Sequence, residues 1–166
     1  MAITSNSSCT LEDLQVKGKL EVSTSNGALN SHEIKGEAEV TLTTSNALLS
    51  ARKLQAQGAI TLESRNGRLE AEMVSTPQEL TMQTSNARIS VQSVASPNIR
   101  IVTSNGKVEG SILGTARDYT VTSRTSNGRN DLSSHVWQGP KRLEVKTSNA
   151  NIQLQFTQED EGLAVD

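Results

Sequence analysis

The sequence predicts an all-β fold, a parallel β-solenoid (β-helix) of about seven coils with about 20 residues in each coil. The first observation behind this prediction is a Thr-Ser-Asn tripeptide that recurs along the whole chain. Its copies are spaced by 20, 20, 20, 20, 19, 22 and 22 residues, and they end at Asn6, Asn26, Asn46, Asn66, Asn86, Asn105, Asn127 and Asn149. One copy is altered to Ser64-Arg65-Asn66. A fixed period of this length is typical of repeat proteins, in which each unit packs against its neighbours.

The second observation is an alternation of aliphatic and polar residues before each asparagine. Val40 and Leu42 lie six and four residues before Asn46, and a threonine follows each of them. A period of two indicates a β-strand with one apolar face. Ser123 and Asn130 break the pattern, because they are polar at positions where the other copies are apolar.

A small residue follows each asparagine, and a second strand follows that residue. Since Asn and Gly both tolerate positive φ, this pair predicts a turn. Asn-Ala occurs as well as Asn-Gly, so a corner between successive strands of one coil fits better than a two-residue hairpin. In the third copy the second strand turns Leu49, Ala51 and Leu54 toward the core, before a variable bend that contains Gly58. Crossovers between parallel strands are normally right-handed, which favours a right-handed solenoid.

Equivalent residues of successive copies should stack about 4.8 Å apart as parallel strands. This stacking would align the asparagines, and the threonines two residues before them, in polar ladders, because stacked amides can bond to the coils above and below. We interpret these ladders as structural rather than ligand-binding. The predicted ladder residues are Asn26, Asn46, Asn66, Asn86, Asn105, Asn127, Asn149, Thr24, Thr44, Thr84, Thr103, Thr125 and Thr147.

The repeat predicts one domain over residues 1–157, followed by an acidic, flexible tail over 158–166. Residues 134–156 form an atypical last coil that contains the only Trp, Trp137, and the only Phe, Phe156. Terminal repeats are characteristically atypical, so we predict an end cap here, with an aromatic contact site as the alternative. No comparable cap precedes the first coil, and its bare edge would allow end-to-end self-association.

Composition and charge exclude several classes of partner. With 16 basic and 18 acidic residues and a net charge of −2, the chain has no basic patch for nucleic acid. No apolar stretch is long enough for insertion into a membrane. Without a signal peptide or anchor, the chain is predicted to be cytoplasmic as it stands, or at the cell surface if it is exported by another route or is part of a longer protein. The expected partner is therefore an unidentified protein or glycan.

No motif for a cofactor or metal is present, so none is predicted. The single Cys9 excludes an intramolecular disulfide. His32 and His135 lie about five repeats apart along the chain, so they should not share a metal ion.

One pair of carboxylates could serve a carbohydrate-active enzyme. Glu109 and Asp131 both lie four residues after a repeat asparagine, so they are expected in adjacent coils, as an acid pair requires. Carbohydrate recognition also favours exposed aromatic platforms, for which Trp137 and Tyr119 are the candidates.

A second column of charged residues lies two residues after the asparagines. It predicts a basic surface stripe of Arg68, Arg88, Lys107 and Arg129. We interpret the stripe and its acidic neighbours as a lattice of solvated ion pairs, with anion binding as the alternative. An outward run of Thr41, Thr61 and Thr81 suggests ice binding, which the charge at Arg100 disfavours.

The repeat resembles that of the adhesin-type family of β-strand repeat proteins from bacteria and fungi. The matching stretches are Thr24-Ser25-Asn26-Gly27-Ala28-Leu29, Thr103-Ser104-Asn105-Gly106-Lys107-Val108 and Thr125-Ser126-Asn127-Gly128, and the resemblance covers about residues 4–157. It implies a parallel β-solenoid, often at or near a cell surface, with no established activity and no agreed site residues. The expected function is a non-catalytic structural or adhesion-type module. The alternatives are a carbohydrate-binding or carbohydrate-active protein and, less favoured, an ice-binding protein.

Overall fold

The computed structural model describes residues 2–132 and 138–158 and confirms the predicted fold class. Parallel strands stack into a β-solenoid of about seven turns, with an eight-stranded sheet on one side and a seven-stranded sheet on the other. His135, Trp137 and the tail residues 159–166 lie outside the described residues. The predictions of an aromatic contact at Trp137 and of a flexible tail therefore remain predictions.

Each coil contributes one strand to each sheet, except that the coil of β13, within the described residues, meets the second sheet through an isolated bridge at Asn130. In chain order the strands are β1 Ala2–Thr4, β2 Cys9–Val16, β3 Leu20–Thr24, β4 Leu29–Gly36, β5 Val40–Thr44, β6 Leu49–Ala56, β7 Ile60–Ser64, β8 Leu69–Glu72, β9 Glu79–Gln83, β10 Ile89–Val94, β11 Asn98–Val102, β12 Val108–Leu113, β13 Tyr119–Arg124, β14 Lys141–Lys146 and β15 Ile152–Thr157. A short 3₁₀ turn at Ala116–Asp118 joins β12 to β13.

The apolar columns stack in register and form one continuous core. Val40 pairs with Leu20 on one side and with Ile60 on the other. Val40, Ile60 and Leu49 are completely buried, whereas Leu20 near the first coil is only partly buried. Each coil thus covers the apolar face of the coil before it, which explains how a chain with 34% apolar residues maintains a core.

A left-handed residue bends the second strand of the first five coils. In β6, Lys53 has φ of 51° and is exposed together with Arg52, while Ala51 and Leu54 on either side of this pair are buried. The bend explains why inward positions are separated by three residues here instead of two. The same position, seven residues after each asparagine, has φ between 49° and 56° and holds Asp13, Glu33, Lys53, Met73 and Ser93.

The corner after each asparagine is present, but its backbone differs from the predicted one. No repeat asparagine and no glycine directly after one has positive φ. In the copies that have glycine at this position, a close approach between coils leaves no room for a Cβ atom. A Cβ added at Gly67 would lie 1.6 Å from the carbonyl oxygen of Ala47, and one added at Gly106 would lie 1.6 Å from that of Ala87.

The last two coils stack in an order that differs from their order in the sequence. The eight-stranded sheet ends β11-β14-β13, so Ile101 pairs with Val145, and Val145 pairs with Ser123. In the other sheet β15 pairs with β12, and Asn130 bridges to Ile152 from outside. The expectation that successive copies stack in sequence holds as far as β12 and is wrong beyond it. We call residues 141–157 the inserted coil and residues 119–132 the terminal coil.

Polarity explains which coil lies inside. The inserted coil buries Leu143, Val145 and Ile152 completely. In the terminal coil Ser123 and Asn130 occupy the corresponding inward positions, and the Asn130 Nδ2 donates to the Ser123 Oγ at 2.9 Å. Stacking in sequence order would enclose this polar pair between two coils, where polar groups are costly to bury. In the observed order the inserted coil stacks against one side of this pair, and Ser123 and Asn130 are only partly buried.

The small residue after each asparagine shows the same order. Along the stack this position reads Ser7, Gly27, Ala47, Gly67, Ala87, Gly106, Ala150 and Gly128, so that glycine alternates with a residue that has a Cβ atom. In sequence order Gly106 and Gly128 would be neighbours. A Cβ added at Gly128 would lie 2.0 Å from the carbonyl oxygen of Ala150, which matches the close approach at the earlier glycines.

The exchanged order makes two chain segments cross at the C-terminal end. Gly139 lies against the 3₁₀ turn, where an added Cβ would be 2.1 Å from the carbonyl carbon of Asp118. The Thr120 Oγ1 donates to the Gly139 carbonyl oxygen at 2.8 Å. Asp118 fixes the turn, because its Oδ2 accepts bonds from the Thr115 backbone N–H at 2.7 Å and from the Thr115 hydroxyl at 3.0 Å. These bonds lower the pKa of the Asp118 carboxyl.

Candidate functional site

The asparagines form a hydrogen-bonded ladder on the surface. Each Nδ2 donates to the Oδ1 of the preceding coil, at distances between 2.6 and 2.8 Å. The ladder follows the order of the stack, since Asn149 donates to Asn105 and Asn127 donates to Asn149. The amides thus make the contacts that the structural interpretation requires, and they link every coil.

The threonines that lie two residues before the repeat asparagines form a second ladder. The Oγ1 of Thr84 donates to the carbonyl oxygen of Gly67 at 3.3 Å, and that of Thr147 donates to Gly106 at 3.1 Å. The equivalent bonds of Thr24, Thr44, Thr103 and Thr125 measure 3.5, 3.4, 3.3 and 2.8 Å. Five of these side chains are almost completely buried: Thr24, Thr44, Thr84, Thr103 and Thr147. Buried hydroxyls of this kind are normally satisfied by the protein, which leaves little for a ligand to bind.

The basic stripe is interrupted and largely paired. Arg68 lies 3.8 Å from Glu70, while Arg88 and Lys107 contact Glu109 at 3.0 and 2.6 Å. Arg129 does not follow Lys107, because the inserted coil places Asn151 between them, and the Oδ1 of Asn151 accepts a bond from the Arg129 backbone N–H. The stripe therefore comprises three stacked cations and, beyond Asn151, a separate fourth one.

The predicted acid pair is separated. Glu109 is in register with Gln153, and the Asp131 backbone N–H bonds to Ile152 on the far side of that strand. The expectation of adjacent carboxylates was wrong because it assumed stacking in sequence order. A hydrogen bond from Lys107, assisted by the charge of Arg88, lowers the pKa of the Glu109 carboxyl. A general acid needs a raised pKa so that it stays protonated. The cations beside Glu109 favour its charged form instead.

Tyr119 is not an exposed platform. Its side chain is completely buried at the C-terminal end, its ring centroid lies 5.5 Å from that of Phe156, and its hydroxyl donates to the Leu113 carbonyl oxygen at 3.2 Å. Burial raises the pKa of the Tyr119 phenol to about 12. Tyr119 therefore packs the end of the stack and cannot stack on a sugar.

Sequence reasoning missed a groove along the left-handed corners. It has a volume of about 470 Å³ and is lined by Asp13, Leu14, Gln15, Glu33, Lys35, Lys53, Gln55 and Met73. Lys53 donates to Glu33 at 2.9 Å, which lowers the pKa of the Glu33 carboxyl, and Met73 is 46% exposed. One sequence signal could have located this groove. In the first five copies the inward-facing residues lie five and eight residues after the asparagine, a spacing of three where a regular strand has two.

Residues 2–132 and 138–158 contain no cluster of three or more His, Cys, Asp or Glu side chains that could hold a metal ion. Over the same ranges no helix has the length and apolar character needed to cross a bilayer. Comparisons with protein-family models, curated proteins and solved structures found no match for this chain. Its geometry and chemistry are therefore the basis for a functional assignment.

Proposed function

We propose that this chain is a non-catalytic structural or adhesion-type module, a rod whose lateral faces meet a protein or glycan, in keeping with association with a cell surface. The observation that carries the proposal is the unbroken asparagine ladder, which links all coils at 2.6 to 2.8 Å. The residues that define the repeat are thereby engaged in bonds between coils. The outward-facing residues are free to differ from coil to coil, and solenoids build extended binding surfaces from such residues.

The environment of the carboxylates supports a role without catalysis. Glu109 is bound by two cations, and Gln153 separates it from Asp131. Hydrolysis of a glycosidic bond by two carboxylates requires one that stays protonated near neutral pH. Ion pairs and a lowered pKa oppose that state at Glu109.

Carbohydrate binding is the second candidate, and a polar groove favours it. The groove has a volume of about 280 Å³ and is lined by Ser50, Arg52, Glu70, Ala71, Glu72, Ser90, Val91, Gln92, Glu109 and Gly110. Hydroxyl, amide and carboxylate groups at repeating heights suit a glycan. The buried Tyr119 supplies no stacking surface, so this candidate ranks below a protein partner.

Ice binding ranks third. The hydroxyls of Thr41 and Thr81 are within 3.2 and 3.4 Å of Glu39 and Glu79, to which they donate. Along the stack Arg100 and Glu144 follow Thr81 in the same column. Hydroxyls engaged with carboxylates, beside two charged residues, do not form a flat array that matches ice.

The proposal is tested on beads coated with the folded chain. Attachment to a glycan array and to a cell-surface protein extract is measured for the wild type and for alanine variants of three faces: Arg68 with Arg88, Glu33 with Lys53, and Thr61 with Glu63. We expect one face variant to lose attachment while its circular dichroism is unchanged. Equal attachment of all three variants and the wild type would contradict an adhesive role.

An enzymatic control completes the test. The wild type and the double variant Glu109→Gln, Asp131→Asn are incubated with a panel of soluble polysaccharides, and new reducing ends are measured. We expect neither protein to release any. Release by the wild type that the double variant loses would replace the proposal with the carbohydrate-active alternative.

A further inference from the structure

We propose that the two ends of the stack bind each other, so that copies of this chain associate head to tail into longer rods. The occupant of each end is a second copy of the chain. This inference goes beyond the proposed lateral binding and does not depend on it. Three observations carry it: the polarity of the asparagine ladder, the alternation of glycine along the stack, and the apolar residues left half-buried at both ends.

The asparagine ladder has a donor at one end and an acceptor at the other. The Asn6 Oδ1 accepts a bond from Asn26, and the Asn127 Nδ2 donates to Asn149. Over the described ranges the Asn6 Nδ2 and the Asn127 Oδ1 have no partner. Placing Asn6 of a second copy above Asn127 would add one more bond of the same kind. A head-to-head arrangement would oppose two donors instead.

The alternation of glycine continues across the same junction. The stack ends with Ala150 and Gly128 and begins with Ser7 and Gly27. Ser7 of a second copy would therefore lie on Gly128 as Ala47 lies on Gly27. The junction would then repeat the internal spacing, with a residue that has a Cβ atom following each glycine.

Both ends leave apolar side chains incompletely covered. The partly buried residues at the first coil are Cys9, Leu11, Leu14 and Leu20, and those at the other end are Val121, Leu132 and Phe156. In the register of the repeat, Leu11 of a second copy would cover Leu132, since each lies five residues after its asparagine. Burial of such surface favours association.

The edge strands and the charged residues at the two ends of the stack are compatible with this register. β1 and β13 are the edge strands of the eight-stranded sheet, and exposed parallel edges are templates for further pairing. Arg129 and Asp131 would face Ser8 and Thr10 of the second copy, so no like charges meet there. A heterologous contact of this kind does not close on itself and builds open rods.

Sedimentation velocity over a wide range of concentrations, with negative-stain imaging of the same samples, tests the proposal. We expect the average mass to rise above the monomer value of 17.8 kDa with concentration. The rods should lengthen by about 38 Å for each added copy, from eight strands at about 4.8 Å per strand. A mass that stays at the monomer value up to the highest soluble concentration would overturn the proposal.

Variants of each end test the direction of association. Leu11→Lys blocks the first coil and Leu132→Lys blocks the terminal coil, so each variant alone should remain monomeric. A mixture of the two should form a dimer and nothing longer, because one intact end of each kind is available. Dimerisation of either variant alone would indicate contact between two like ends and would overturn the proposed direction.

A milder variant and a matched control guard against effects on folding. Asn6→Asp retains the acceptor for Asn26 and removes the outward donor, so we expect at least a tenfold weaker association with an unchanged melting curve. Met73→Lys introduces the same lysine on the lateral corner and should assemble as the wild type does. If Met73→Lys lost assembly as fully as Leu11→Lys, or Asn6→Asp assembled as tightly as the wild type, the ends would not be the binding surfaces.

Discussion

The coils from β3 to β10 and the two coils that follow β12 use the same repeat, but only the first group stacks in the order of the sequence. In the first group every coil buries apolar residues at the same positions, as Leu42 and Leu62 illustrate. In the second group one coil is apolar inside and the other carries the Ser123–Asn130 pair. A repeat motif therefore determines how coils stack, while the inward residues of each coil determine where that coil lies.

The largest expected effect comes from trapping the exchanged order with a disulfide. In a Cys9→Ser background, Val102→Cys with Lys146→Cys places cysteines on paired strands, about 4.8 Å apart, within the range for a disulfide. Val102→Cys with Arg124→Cys is the matched control, because β14 separates those strands to about 9.6 Å. We expect nearly complete oxidation of the first pair and none of the second, read by peptide mass. Oxidation of the second pair and not of the first would show that the coils stack in sequence order.

A smaller effect is expected where the two segments cross. Gly139→Ala should lower the free energy of unfolding by about 1–3 kcal/mol, since its Cβ would lie 2.1 Å from the Asp118 carbonyl carbon. Gly18→Ala in the first group is the control, because no atom lies within 4 Å of its added Cβ. It should change stability by less than about 0.5 kcal/mol. Urea denaturation followed by circular dichroism compares them, and equal stability of the two variants would mean that the crossing does not constrain the chain.

The smallest effect concerns the ion pairs of Glu109. Because Lys107 and Arg88 lower its pKa in the folded protein, Glu109 contributes stability above its unfolded pKa of about 4.3 and loses it as the pH falls through the lower folded value. The contribution should be at most about 1 kcal/mol, as for partly exposed pairs. Glu109→Gln should therefore melt at a lower temperature than the wild type at pH 7, with the difference vanishing in stronger acid. A difference that is independent of pH would assign the effect to packing.

Much of the fold could be predicted because the same pattern of apolar and polar residues recurs in successive copies of the repeat. The alternation around Val40 and Leu42 and the constant spacing of the asparagines are enough to predict the strands, their parallel pairing and the ladders. The left-handed bend was missed, because its position holds Asp, Glu, Lys, Met or Ser and has no residue type in common. The same backbone conformation therefore occurs with five different residue types, and no local residue signal marks it.

The candidate site was harder to predict than the fold. The adjacency of Glu109 and Asp131, and the continuity of the stripe from Lys107 to Arg129, both depended on the order of the last two coils. Two signals for that order were present in the sequence. One was the polarity of Ser123 and Asn130, and the other was the alternation of glycine, which is regular only if Ala150 precedes Gly128. Each signal acquires meaning only when coils are compared as neighbours in space.

The inserted coil also changes how the molecule resists a pulling force. In a solenoid stacked in sequence order, tension on the last coil peels it from one neighbour, and the backbone bonds break one after another. Here β14 pairs with β11 on one side and with β13 on the other, and β15 bonds to β12 and to the bridge at Asn130. Tension applied near residue 157 first reaches β15, the edge strand of its sheet, and must then draw β14 out from between β11 and β13, which loads the bonds on both sides of β14 together. We therefore expect the exchange of two coils to raise the force needed to extract β14, because a strand paired on both sides cannot be peeled from a single neighbour.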